Sequence, residues 1–214
     1  ASIIYLANPD NPMGTWHSAT DVENLIKSLP STTLLCLDEA YSDFLSEKDL
    51  PSISIDNPNV IRLRTFSKAY GMAGARVGYG IGAPHLMKAF DRIRNHFGVN
   101  LIAQHGAIAA LSDQAYLGSV KRKVEIAKKK ISAIALANDL LPLQSGANFV
   151  AIDCKQDTKF AKQVLEGLLK KNIFVRMPFR EPQSRCIRIS VGTEDDLALL
   201  EKALPEVLND LKLL

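Results

Sequence analysis

Lys68 lies in the string Thr65-Phe66-Ser67-Lys68-Ala69-Tyr70-Gly71-Met72-Ala73-Gly74-Ala75-Arg76, directly after an apolar run. A lysine nucleophile must shed its proton before it can attack a carbonyl, which a partly buried setting near other positive charge promotes. Arg76 supplies such a charge, and the small residues before it let backbone approach a flat ring or a phosphate closely. An isolated loop lysine is ordinarily solvated; here the flanking string argues otherwise. A second polar group, Asp38-Glu39-Ala40-Tyr41, follows the apolar run 34–37. The Asp38 carboxylate could hold a ring cation or cap a turn. Glu39 points the other way and takes no role at this stage. A third string, Asn8-Pro9-Asp10-Asn11-Pro12-Met13-Gly14, is turn-forming by composition alone. Arg188, inside Cys186-Ile187-Arg188-Ile189-Ser190, interrupts a run expected to be buried on one face, where a charge is costly unless it meets an anion. Arg176 ends a similar run, 173–176, and Asn148 in Gly146-Ala147-Asn148-Phe149 suits either a ligand or a turn.

These groups need a frame that brings them together. Four short apolar runs, 2–6, 33–37, 60–64 and 77–81, read as strands, and a helical pattern over about 19–29 separates the first two. Ser18 and Thr20 are candidate caps for that helix, with Asp21 and Glu23 near its positive end. Strand–helix–strand alternation implies an α/β fold with a mainly parallel sheet, whose functional loops lie beyond the carboxyl ends of the strands. The first three polar strings fall at such ends. Helical periodicity dominates from 84 to about 115, and a long helix is expected over 117–140, ending before Pro142. A smaller α+β unit follows, with strands over 148–153, 173–176 and 186–191 and helices near 158–171 and 194–211. Pro205 should kink or restart the last helix, and Thr193 with Asp196 resembles a capping box. The domain boundary is placed near residue 118, giving domains 1–118 and 119–214.

The 214 residues are of ordinary globular composition, 47% hydrophobic and 23% charged, with a formal net charge of +3 that does not argue for nucleic acid. The lysines of 121–130 should form the wet face of an amphipathic helix whose apolar stripe is Val124, Ala127, Ile131 and Ile134. Three cysteines without CxxC spacing argue against a disulfide framework and against zinc, and four histidines show no metal-ligand spacing, so no metal is expected. No run reaches transmembrane length and no signal peptide is visible, so a cytoplasmic protein away from membranes is expected.

Taken in order, NPDNPMG, DEAY, SKAYGMAGAR and the strand arginine Arg188 resemble the fold-type-I aminotransferases, and within them the histidinol-phosphate aminotransferase subgroup, from the first residues to about Asp196. The resemblance implies pyridoxal 5'-phosphate as cofactor, with residues 1–118 as a partial cofactor-binding large domain and 119–214 as the small domain with its bridging helix. Lys68 would form the Schiff base and later move the proton at the substrate's Cα. Asp38 would keep the pyridine nitrogen protonated, Asn11 and Tyr41 would donate to the phenolic oxygen, and Ser67, Arg76 and more weakly Thr65 would hold the phosphate. Arg188, Arg176 and Asn148 would meet the substrate. The implied reaction transfers an amino group, from an amino acid or an amino phosphate such as histidinol phosphate, to a 2-oxo acid, in a homodimeric biosynthetic enzyme. A decarboxylase or lyase of the same fold, or a non-catalytic regulator, would carry much the same residues. The family also implies residues ahead of Ala1, and the 214-residue chain by itself is expected to leave a sheet edge and apolar surface uncovered and to be inactive.

Overall fold

The computed structural model describes residues 1–212. They divide into two compact units: 1–10 with 16–121, and 11–15 with 122 onward.

The first unit is built on a four-stranded sheet of β1 (Ile3–Ala7), β2 (Leu34–Asp38), β3 (Val60–Thr65) and β4 (Gly78–Gly82), in that spatial order. β1, β2 and β3 are parallel, and β4 returns antiparallel to β3. α1 (Ala19–Ser28) crosses from β1 to β2. It starts at Ser18, whose Oγ accepts from the Asp21 amide while the Asp21 carboxylate accepts from the Ser18 amide, a reciprocal capping box. Its apolar face (Val22, Leu25, Ile26) packs on Leu35, Leu37 and Val60. β4 reads Gly-Tyr-Gly-Ile-Gly, and a Cβ at Gly78 would meet the Arg64 carbonyl oxygen at 2.7 Å, so glycine is what lets this strand lie against β3. The expected helical stretch after Pro84 is two helices, α2 (Pro84–Asp91) and α3 (Leu101–Ser112), separated by non-helical residues. α3 is apolar on all sides, and Ile102 is 85% exposed.

α4 (Gln114–Ala137) carries the chain from the first unit into the second, beginning and ending three residues earlier than the sequence pattern suggests. The second unit holds a three-stranded antiparallel sheet of β5 (Leu141–Pro142), β6 (Phe149–Asp153) and β7 (Cys186–Ser190), with α5 (Thr158–Lys170) and α6 (Glu194–Lys212). Every residue of β6 is buried. Val124, Ala127, Ile131 and Ile134 of α4 are all buried, as their spacing requires. Lys128 departs from the expected wet face: it is buried, and its Nζ donates to the Ser145 carbonyl at 2.7 Å and pairs with Glu125 at 2.9 Å.

Two further expectations are corrected. Residues 173–176 form no strand; only Arg176 bridges to Arg188, and Pro178, which has no N–H to give, stops the ladder from continuing past it. Of the kink or restart expected at Pro205, the restart does not occur: α6 runs through that residue as one helix. Ala203, Leu204, Val207 and Leu208 around it are buried, and that burial offsets the roughly 3 kcal/mol a mid-helix proline costs. The Thr193–Asp196 capping box is present.

Candidate active site

In the first unit the polar strings meet at the carboxyl ends of the parallel strands, as strand chirality and connection dictate for such sheets. Asp38 closes β2. Its Oδ1 accepts from the Ala40 amide at 3.0 Å, and its Oδ2 accepts from the Tyr5 hydroxyl at 2.5 Å. That carboxylate and its own burial push the Tyr5 phenol up to about 12, the hydrogen bond being the larger cause. Tyr41, buried, opens a short 3-10 turn, and the Lys68 amine stands 5.0 Å from the centre of its ring. Thus the lysine and the DEAY segment share one side of the unit. Thr65 ends β3 with its hydroxyl accepting the Ser67 amide at 3.0 Å, which tightens the turn leading into Lys68. Arg76 takes a left-handed conformation (φ +54°), is exposed, and donates to the Ala73 carbonyl at 2.7 Å. Its guanidinium is therefore engaged in its own turn.

In the second unit Asn11, Arg188 and Arg176 come together. The Asn11 side-chain oxygen accepts from Arg188 Nη1 at 2.5 Å, and the Arg188 guanidinium lies 4.7 Å over the buried Phe149 ring. Arg176 and Arg188 exchange both backbone hydrogen bonds, at 3.0 and 2.6 Å. Residues directly opposite in an antiparallel pair put their side chains on the same face, and like charges so placed repel unless an anion joins them. Asn148, half-buried, gives its backbone carbonyl to the Val191 amide at 3.0 Å. The turn bearing Asn11 is seated by Gly14: its carbonyl accepts from the Gly146 amide at 2.8 Å. Gly14 has φ +78°, and a Cβ there would meet Ser145 Oγ at 2.5 Å. Both facts favour glycine at this point, since any side chain would strain the backbone and displace Ser145.

Sequence reasoning passed over the ion cluster beside Asp38. Glu39 is 1% exposed and forks onto Arg62, with Nε–Oε2 and Nη2–Oε1 both 2.8 Å, while Arg64 Nε reaches Oε2 at 3.0 Å. Arg64 Nη1 also pairs with Asp43 at 3.2 Å. Burial pushes the Asp43 carboxyl up, against the pull of Arg64; burial also works to lower Arg64, but the Glu39 charge and hydrogen bond prevail and raise it. The backbone of Glu39 is pinned too, its amide donating to the Leu63 carbonyl and its carbonyl accepting from Ser42. The cluster ties the Asp38–Tyr41 turn to the strand that leads into Lys68. A signal existed: Arg62 and Arg64 alternate with Ile61 and Leu63, which puts two cations on one face of an otherwise apolar strand.

Among the described residues no group of three or more His, Cys, Asp or Glu side chains gathers as for a metal ion, and no helix is long and apolar enough to cross a membrane. All three cysteines are free.

Against known proteins, the family model for aminotransferase class I and II matches residues 1–204. Histidinol-phosphate aminotransferase 1 of Nitrosococcus oceani is 38% identical over 216 residues, covering 98% of this chain and 57% of that protein. The crystal structure of histidinol-phosphate aminotransferase from Sinorhizobium meliloti, in complex with pyridoxal-5'-phosphate, superposes with a TM-score of 0.96 at 50% identity, covering 99% of this chain and 58% of the other. L-threonine-O-3-phosphate decarboxylase from Porphyromonas gingivalis superposes with a TM-score of 0.82 at 25% identity, covering 97% and 65%. The chain spans about half the length of the curated relatives it matches.

Proposed function

Starting from the fact that this chain belongs to the class I and II aminotransferase family, we propose that the protein uses pyridoxal 5'-phosphate to transfer an amino group from an amino acid or amino phosphate, histidinol phosphate foremost, to a 2-oxo acid. The observation that carries this reading is the Lys68 amine 5.0 Å over the Tyr41 ring, with Asp38 at the end of the strand that leads into Tyr41. The donor set fits the cofactor: an amine for its aldehyde, a carboxylate for its ring nitrogen, a phenol for its phenolic oxygen, and a hydroxyl and a guanidinium for its phosphate. When bound, the cofactor supplies a ring that takes up the electron pair left at the substrate's Cα.

The chain's own residues do the rest. Lys68 would hold the cofactor through its aldehyde and, as a free amine, would move the proton at the substrate's Cα. Asp38 holds a proton on the ring nitrogen by placing negative charge beside it. Tyr41 donates to the phenolic oxygen and limits the approach of water on the side of Lys68. Ser67 and Arg76 hold the phosphate, Arg76 on releasing the Ala73 carbonyl, and Thr65 shapes their turn. Arg188, steadied by Asn11 and Phe149, takes the substrate's anion, and Arg176 on the same face favours a substrate with a phosphate or a second anionic group. Asn11 and Asn148 complete the polar set, Asn11 as a donor to the phenolic oxygen. The reading extends to a cytoplasmic homodimer, supported by the three free cysteines and by the apolar surface around α3.

The test is an absorbance scan of the intact protein with added pyridoxal phosphate, wild type against Lys68→Ala. A band characteristic of lysine-bound cofactor in the wild type, absent from the variant, is expected, with activity lowered at least about a thousand-fold. A band that persists in Lys68→Ala overturns the assignment. The fold likeness to the Porphyromonas decarboxylase favours one second reading, amino-acid decarboxylation. Measuring pyridoxamine phosphate against carbon dioxide separates the two.

A further inference from the structure

We propose that Tyr5 is a positioning residue for Asp38, its hydroxyl fixing the carboxylate that the reading above assigns to the cofactor's ring nitrogen. The proposal rests on that reading and extends it to a residue on the neighbouring strand.

The register makes the contact possible. β1 and β2 are parallel, with Tyr5 opposite Cys36 and Ala7 opposite Asp38. Side chains alternate along a strand, so Tyr5, Ala7, Cys36 and Asp38 all stand on one face. Tyr5 lies two positions behind Asp38, a rise of about 6.6 Å that an aromatic side chain with a terminal hydroxyl can span. Between them, at position 7, alanine leaves the path clear. The hydroxyl then donates to Oδ2 at 2.5 Å while the Ala40 amide donates to Oδ1 at 3.0 Å. An ionised carboxylate has about four acceptor sites. Two are taken by donors from different elements, one on β1 and one in the turn after β2. Together they stop rotation of the carboxylate and leave its remaining lone pairs for one further donor.

The ring gains little by burial where it is. Tyr5 is 62% exposed, so its side chain is held by this polar contact more than by packing. Its phenol, pushed up to about 12 chiefly by the Asp38 hydrogen bond, stays a donor throughout the range in which an enzyme works. Phenylalanine would keep the ring and lose only the donor.

The experiment is Tyr5→Phe in the intact, cofactor-loaded protein, with ring-¹⁵N-labelled pyridoxal phosphate. The expected result is a ring-nitrogen resonance moved toward the unprotonated position and a kcat lowered roughly tenfold, the size of one lost hydrogen bond to a charged group. KM for the amino donor stays within about twofold, since the groups assigned to the substrate's anion are untouched. In an Asp38→Asn background the same substitution has little further effect on either measure. A merely structural tyrosine would move the melting temperature and leave the resonance in place; an unchanged resonance overturns the proposal whatever the rate does. A wild-type protein with no lysine-bound cofactor band overturns the underlying reading instead, and this proposal with it.

Discussion

The two units are held together by different physics. In the second, apolar side chains from α4, α5, α6, β6 and β7 form one continuous buried core, with Ile131, Ile152, Leu168, Ile187 and Leu204 fully enclosed. In the first, the core under α1 is small, and the best-buried polar feature is a cluster of charges, Glu39 with Arg62, Arg64 and Asp43. The same unit leaves Ile93, Phe97, Ile102 and Ile108 more than half exposed. The comparison teaches a division of labour. The unit with the better core places Arg188 on a well-packed sheet with Arg176 bridged beside it, while the unit with the candidate cofactor residues fixes them by ionic and hydrogen-bonded pins, which specify direction as well as proximity.

That contrast can be broken by substitution. The largest effect is expected from Glu39→Ala, which takes the fully buried carboxylate away from two half-buried guanidinium groups, leaving Arg62 without its fork and Arg64 with Asp43 alone, and should cost up to roughly 3–5 kcal/mol in denaturant unfolding of the intact protein. Replacing Glu39, Arg62 and Arg64 together by Met, Leu and Met, with Asp43→Asn so that no carboxylate loses its cation, should recover most of that loss, since apolar side chains can stand in for a buried ion cluster. If the single variant is as stable as wild type, the ionic pin is not what holds this unit. Next comes Ile187→Ala in the second unit, with a cost of about 2–5 kcal/mol for a fully enclosed side chain. Ile55→Ala, exposed in the first and away from α3, should stay within about 0.5 kcal/mol. Equal effects at the two sites would erase the distinction between the units.

Smaller effects sharpen it. Gly14→Ala should lower stability by about 1–3 kcal/mol through its left-handed backbone and the close Ser145, and should weaken binding of an anionic substrate because Asn11 shifts with the turn. Rising KM with little change in kcat is the pattern to look for. Last is a pH effect. Burial, the largest cause, with the neighbouring Cys186 thiol adding to it, lifts the Cys154 thiol from its ordinary 9.0 to about 12. The folded state therefore keeps a proton that the unfolded chain gives up, so stability present below pH 9 is lost as pH rises from 9 toward 12. Cys154→Ala should show a flatter alkaline limb in thermal melts; an identical limb would mean that the thiol is already open to solvent.

Much of this molecule could be read from the chain alone. The strand ends and the polar strings that follow them come from hydrophobic runs broken by Asn, Asp, Pro and Gly, which are local signals. So do the stripe of α4 and the caps at Ser18 and Thr193, since capping requires only residues three apart. Lys68, Asp38 and Tyr41 were legible as one group because a parallel sheet delivers the ends of its strands to one side. The failures were non-local. No periodicity shows that residues 173–176 meet the sheet only at Arg176, that Lys128 turns inward to the Ser145 carbonyl, or that α6 survives Pro205. Each depends on what the rest of the fold packs around that segment.

The sequence by itself determined which chemistry is available: an amine after a strand, a carboxylate and a phenol after its neighbour, and two further arginines, Arg188 in an apolar run and Arg176 at the end of another. Tertiary structure alone decided how those groups are held. It grouped 11–15 with the second unit, set Asn11 against Arg188, turned Glu39 onto two arginines, and brought the Tyr5 hydroxyl to Asp38 across a strand pair. The physical reason is range. Strand, cap and turn preferences act over a few residues and are written in order along the chain. A hydrogen bond between residues 33 or 177 positions apart exists only once register and packing have closed the distance.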